Sequence, residues 1–202
     1  MLHNISTAIK ITFFKFLARQ ITITYFEKWV YQTADLEQAL KPDDYIELLS
    51  LDFTQEKNKY YSDCRYKITK IIEKYINIAE YNTWKLEKLL HDFLDRKGNL
   101  AEILKQFYYL YCHDYGFLKN LGLYYLCLYY SHDFSNHSLE RSSAGEIAGI
   151  EENLSDILPE VDGEIQKVLS WLKQGKIKII NDVGSIYGVD YIDNRIKSKK
   201  SK

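Results

Sequence analysis

The sequence predicts a mainly α-helical, single-domain bundle that closes on a small carboxy-terminal β-hairpin. Three observations carry that prediction. Two prolines and nine glycines in 202 residues leave long stretches without a breaker, which suits helices on short connections better than a sandwich of short strands. Apolar residues recur at i, i+3, i+4 and i+7 in several successive segments. The stretch KIKIINDVGSIYGVDYIDNR, residues 176–195, has the alternation and glycine spacing of a hairpin. With 46% hydrophobic and 15% aromatic residues the chain has ample material for one core. We find no internal repeat and no linker able to divide it, so residues 1–195 read as one domain and IKSKKSK, 196–202, as a basic disordered tail.

The elements follow in order. Residues 5–32 contain no breaker; their β-branched residues leave helix and strand close in propensity, and length favours helix. Asp35 to Leu40 suits a short helix closed before Pro42, because the proline ring pushes Lys41 out of the α region. Asp43 then lies where a helix N-terminus favours a carboxylate, and Tyr45, Leu48 and Leu49 give that helix one apolar face. Ile68, Ile71, Ile72 and Tyr75 form the next stripe, and Leu86, Leu89, Leu90, Phe93 and Leu94 another, which Gly98 and Asn99 are expected to end. Leu100, Ile103, Leu104, Phe107, Tyr108 and Tyr111 begin a third, with Gly116 as its expected stop. A nearly all-apolar helix is expected from about Phe117 to Tyr130, at the centre of the bundle. Residues 131–145 are polar and rich in breakers and read as a loop. Ile165, Val168, Leu169 and Leu172 mark a last amphipathic helix, capped by Gly175.

Charge and cysteine usage narrow the function classes. Twenty-seven basic and 28 acidic residues leave a net charge of -1, no field for drawing the chain onto nucleic acid. Cys64, Cys112 and Cys127 are odd in number and lack C-x-x-C spacing, so neither a disulfide framework nor a zinc site is signalled, and a reducing cytoplasm fits best. Lys10 and Lys15 interrupt the apolar amino terminus and no cleavage site follows, which argues against a secretory signal. Leu121 to Tyr130 is too short for a hydrocarbon core about 30 Å thick, so no membrane partner is expected.

Phe26, Glu27, Trp29, Val30 and Tyr31 spell F-E-x-W-V-Y, followed by L-E-x-x-L at Leu36, Glu37 and Leu40 and by Y-x-x-L-x-S-x-D-F at Tyr45, Leu48, Ser50, Asp52 and Phe53. Near the other end stand W-L-x-x-G-K-I-K, from Trp171 to Lys178, and Y-I-D-x-R, from Tyr191 to Arg195. These patches resemble small bacterial immunity proteins encoded beside polymorphic or contact-dependent growth-inhibition toxins. The resemblance implies a binding protein rather than an enzyme, whose partner is a cognate toxin domain. It assigns no catalytic residue, metal ligand or cofactor, and it leaves the oligomeric state open. Residues 56–160 carry no matching motif.

From Ser142 to Gln166 there are seven carboxylates, Glu146, Glu151, Glu152, Asp156, Glu160, Asp162 and Glu164, and no Lys or Arg. Such a block reads either as a solvated acidic helix or as a partner-binding face for the basic groove of a nuclease. Ile147, Ile150, Leu154 and Ile157 give it an apolar spine at spacing 3, 4 and 3. Phe26, Trp29 and Tyr31 are expected to hold the fold. Three His-Asp dipeptides, at His91, His113 and His132, keep a metal-dependent phosphohydrolase of the HD superfamily as the alternative. Its isolated upstream His and distant Lys-Asp element are not evident, and His132 and His137, at i and i+5, do not share a helical face. Cys112 beside His113 is a poor thiol and base pair, because adjacent helical side chains diverge. A scaffold or regulatory helical module is the third reading.

Overall fold

The computed structural model describes residues 5–53, 63–125, 144–180 and 191–195; side chains are described throughout these except at Tyr124 and 144–156. The chain is mostly helical with one small antiparallel sheet near its carboxy terminus, as the sequence predicts. It folds as two compact units, Met1–Trp84 and Lys85–Lys202, and the division falls inside a continuous helix.

In the first unit, helix α1 spans Thr7–Leu17 and α2 spans Ile23–Gln32. The expected single helix over 5–32 is therefore two. Arg19 adopts a left-handed φ of 55°. The Gln20 N–H donates to the Lys15 carbonyl and the Arg19 N–H to the Phe16 carbonyl, which closes α1 with a Schellman turn. The Thr22 hydroxyl then accepts from the Tyr25 N–H and starts α2. Between these helices lies an aromatic nest. Phe16 and Phe26 ring centroids are 4.4 Å apart, Phe13 meets Trp29 edge-on at 5.8 Å, and Phe14 packs on Tyr81 and Trp84. The Arg65 guanidinium lies 4.5 Å over the Phe16 ring and donates to the Phe16 carbonyl.

The short helix expected before Pro42 is α3, Leu36–Ala39, and α4, Pro42–Ser50, begins with that proline in its first turn. Helix α5, Asp63–Glu73, buries Ile68, Ile71 and Ile72, and Tyr75 completes the stripe just past its end. Helix α4 packs against α2, α3 and α5. Its buried Asp44 is locked to α5: the Tyr75 hydroxyl and the Lys74 ammonium each donate to the carboxylate at 2.5 Å, while the Tyr75 oxygen accepts from the Lys41 N–H at 2.8 Å.

Helix α6, Ile78–Leu94, carries the predicted Leu86, Leu90 and Phe93 stripe and ends in a second Schellman turn with Arg96 left-handed. Asn99 does not end it. The Asn99 side chain accepts from the Ala101 and Glu102 N–H groups and so opens α7, Leu100–Cys112. Gly116 is likewise not the stop of α7: Asp114, at φ 69°, takes the left-handed position, and the Tyr115 N–H returns to the Leu110 carbonyl. Asp tolerates that conformation through its short polar side chain.

Gly116–Leu118 then forms a 3-10 turn and Asn120–Tyr124 a π turn, so the described part of the expected 117–130 helix is not one α-helix. Polar Lys119 and Asn120 interrupt the apolar surface and stay exposed, while Phe117, Leu118, Leu121 and Tyr125 are buried. The segment lies so close on α7 that a Cβ at Gly122 would sit 2.6 Å from the Phe107 carbonyl oxygen. Residues 126–143, with most of the expected 131–145 loop, lie outside the described residues; Ala144 and Gly145 open a helix instead of ending the loop. That helix, α8, runs Ala144–Lys173 and holds Pro159 in its interior. Gly175, at φ 65°, caps it as predicted. Strands β1, Ile177–Ile179, and β2, Tyr191–Asp193, pair antiparallel with Lys178 opposite Ile192.

Candidate interaction surface

Helix α8 brings all seven carboxylates of the acidic run onto one element. Side chains of Glu146, Glu151, Glu152 and Asp156 lie outside the described part, whereas those of Glu160, Asp162 and Glu164 are described and differ in use. Glu160 is exposed. Asp162 receives the Arg96 guanidinium as a fork, at 2.8 Å and 2.6 Å, and the same Arg96 lies over the Phe93 ring. Glu164 is only 5% exposed; it accepts from the Asn120 amide at 3.0 Å and from Lys167 at 2.9 Å. Asp162 and Glu164 thus tie α8 to the end of α6 and to the π turn. The hydrogen bond with Asp162 holds the Arg96 guanidinium above its usual pKa, and the one with Glu164 does the same for Lys167.

The carboxy-terminal motif folds into one local cluster. The Arg195 guanidinium sits 4.4 Å over the Trp171 ring and forks onto Asp193, whose carboxyl that hydrogen bond holds below the usual range. Asn194 donates through its backbone to the Lys176 carbonyl and through its amide to the Gly175 carbonyl. Tyr191 meets Phe117 edge-on at 4.9 Å. Apart from the Arg195–Asp193 fork, these contacts join the β2 segment to the end of α8 and the residues after it, or to the turn before the π segment.

The amino-terminal motif divides into core and surface. Phe26 is fully buried and Trp29 packs against the same core, as expected of fold-holding residues. Tyr31 is not one of them: it is 59% exposed, its hydroxyl reaches the Leu49 carbonyl at 3.4 Å, and its ring makes a T-shaped contact with Phe53 at 6.5 Å. The helical phase explains this. Ile23, Phe26 and Val30 define the buried stripe of α2, and Tyr31 falls about 140° away from Phe26. Beside it, Pro42, Ile46 and Leu49 line one flank of α4, with Ile46 62% exposed. Sequence reading missed this flank because the stripe Tyr45, Leu48 and Leu49 accounts for α4 without Ile46. The signal that could have found it is the lone isoleucine off that stripe, in a stretch dense with carboxylates.

The two described His-Asp pairs, at His91 and His113, do not gather into a ligand cluster. His91 is exposed on α6 and Asp92 is engaged by Lys88. His113 caps α7, its Nδ1–H donating to the Tyr109 carbonyl at 2.6 Å, and Asp114 holds the left-handed turn. The third pair, and His137, lie outside the described residues. Among the described residues no group of three or more His, Cys, Asp or Glu side chains gathers as metal ligands, and no helix is long and apolar enough to cross a membrane. Cys64 is buried, and burial followed by the charges of Asp52, Asp63 and Glu27 pushes its thiol up to about 11; Cys112 is exposed. Comparison with family models, with curated proteins and with solved structures finds no match for this chain.

Proposed function

We propose that this chain is an immunity protein: it binds the toxin domain of its own cell's system in the cytoplasm and covers its active site, stoichiometrically and without turnover. The observation that carries the reading is the acidic run between Ser142 and Gln166, which holds seven carboxylates and no Lys or Arg, two of them, Asp162 and Glu164, engaged within the chain. A nuclease cleft is basic because it must hold phosphates. An acidic helix offers it matched charge, which speeds encounter and selects the partner. The two sequence patches that resemble immunity proteins add to this reading.

Co-expression with the product of the neighbouring upstream gene tests it directly. A one-to-one complex and protection of the host from that product are expected. Reversing Glu151, Glu152 and Glu160 to Lys should slow association at least tenfold and flatten its salt dependence. Asp162 and Glu164 are left intact in that variant, since they hold the fold. A purified chain that binds no toxin but carries divalent metal, with phosphatase activity lost on His113→Ala, would overturn the proposal in favour of a hydrolase.

A further inference from the structure

We propose that the flank of α4 formed by Pro42, Ile46 and Leu49, with Tyr31 beside it, is a second contact surface, built to dock a basic protein surface. The inference rests on the reading above and extends it to the first unit. Tyr31 and Ile46 are large apolar side chains left more than half exposed, and they are linked: the Tyr31 hydroxyl reaches the Leu49 carbonyl, and Leu49 is the i+3 neighbour of Ile46. Tyr is among the residues enriched at the energetic centres of protein interfaces.

The charge around this strip names its occupant. Between Ile23 and Phe53 there are seven carboxylates and two lysines. Asp44 is buried and paired, but Asp35, Glu37, Asp43 and Glu47 are exposed and stand in no ion pair among the described residues. The lysines in and just after α5 are each already paired, Lys67 with Asp63, Lys70 with Glu73 and Lys74 with Asp44, and of the four exposed carboxylates it is Glu47 that also feels the charges of Lys67 and Lys74. Phosphate-bearing partners, nucleic acid or an anionic membrane, are repelled by such a segment. A second copy would set the same carboxylates against themselves. A protein with a basic rim around an apolar patch satisfies both the anchor and the field.

The probe is the toxin domain encoded by the neighbouring upstream gene, titrated against the full chain at two salt concentrations. Ile46→Lys and Ile46→Glu remove the same apolar group at an exposed site and replace it with opposite charges. Ile46→Lys should weaken binding at least tenfold, Ile46→Glu several-fold less, and Glu47→Lys should weaken it more at low salt than at high. Urea midpoints establish that the fold is retained; should Ile46→Lys lower its midpoint, Ile46→Ala decides on the anchor alone. If wild type binds and Ile46→Lys and Ile46→Ala bind within twofold of it, this surface is excluded while the immunity reading stands. Equal weakening by Lys and Glu overturns the basic character of the partner. A wild-type chain that does not bind removes both proposals.

Discussion

Tyr75→Phe isolates the lock that seats α4, and its effect can be worked from the contacts. The substitution keeps the buried ring and deletes one oxygen. Two hydrogen bonds go with it, one donated to the Asp44 carboxylate and one accepted from the Lys41 N–H. The first is charge-assisted and its acceptor is 5% exposed, so its loss costs about 1.5–3 kcal/mol; the second involves an exposed residue that water can satisfy, and adds well under about 1 kcal/mol. A destabilisation of about 2 kcal/mol is expected, read as a lower urea midpoint of the first unit by aromatic fluorescence.

The pH dependence supplies a second readout. Burial by itself would raise the Asp44 carboxyl, but the hydrogen bonds from Lys74 and Tyr75 and the charges of Lys74 and Lys41 outweigh it and hold the pKa below the ordinary value. A depressed folded pKa gives stability that is present above the unfolded value, near 4, and fades as pH falls through the folded one. Tyr75 works in the opposite sense. Burial first, then the bond to Asp44, push it up to about 12, so its contribution is complete below about pH 10 and is lost as pH rises toward 12. The difference between wild type and Tyr75→Phe should therefore be flat from pH 5 to 9 and shrink at both ends. A difference below about 0.5 kcal/mol at pH 7, or one that never shrinks as pH falls below the unfolded carboxylate value, would refute the reasoning.

Arg19→Gly should stabilise the chain by about 0.5–1 kcal/mol, read as a higher urea midpoint, because an exposed arginine holds a left-handed cap that glycine adopts without strain. Arg96→Gly relieves the same strain but deletes the fork on Asp162, and should bring no gain. Gly122→Ala puts a methyl group 2.6 Å from the Phe107 carbonyl oxygen and 2.8 Å from the Tyr111 Cβ, with an expected loss of about 1–3 kcal/mol in thermal or urea unfolding of the second unit. Peptide mapping after brief alkylation of the native chain at pH 8 should show Cys112 modified and Cys64 protected until urea is added.

The sequence by itself determined the elements whose periodicity is local. The stripes of α5, α6 and α7, the proline start of α4, the Gly175 cap and the terminal hairpin were all legible, because each depends on residues within one or two turns of each other. Tertiary structure alone decided where polar residues stand against that pattern. Left-handed caps at Arg19, Arg96 and Asp114 replaced the glycines that local rules favour; such residues are tolerated there when the surrounding hydrogen bonds outweigh the strain. The apolar run after Gly116 became a 3-10 and a π turn where the chain folds back onto α7 with no room for a side chain at Gly122. The same holds for charge: seven carboxylates look alike in a sequence, yet Asp162 and Glu164 are tied to Arg96, Asn120 and Lys167, partners up to 66 residues away, while Glu160 is left to solvent. Whether a carboxylate or an isoleucine is available to a partner depends on what the rest of the chain brings to it, and that is a property of packing, not of spacing.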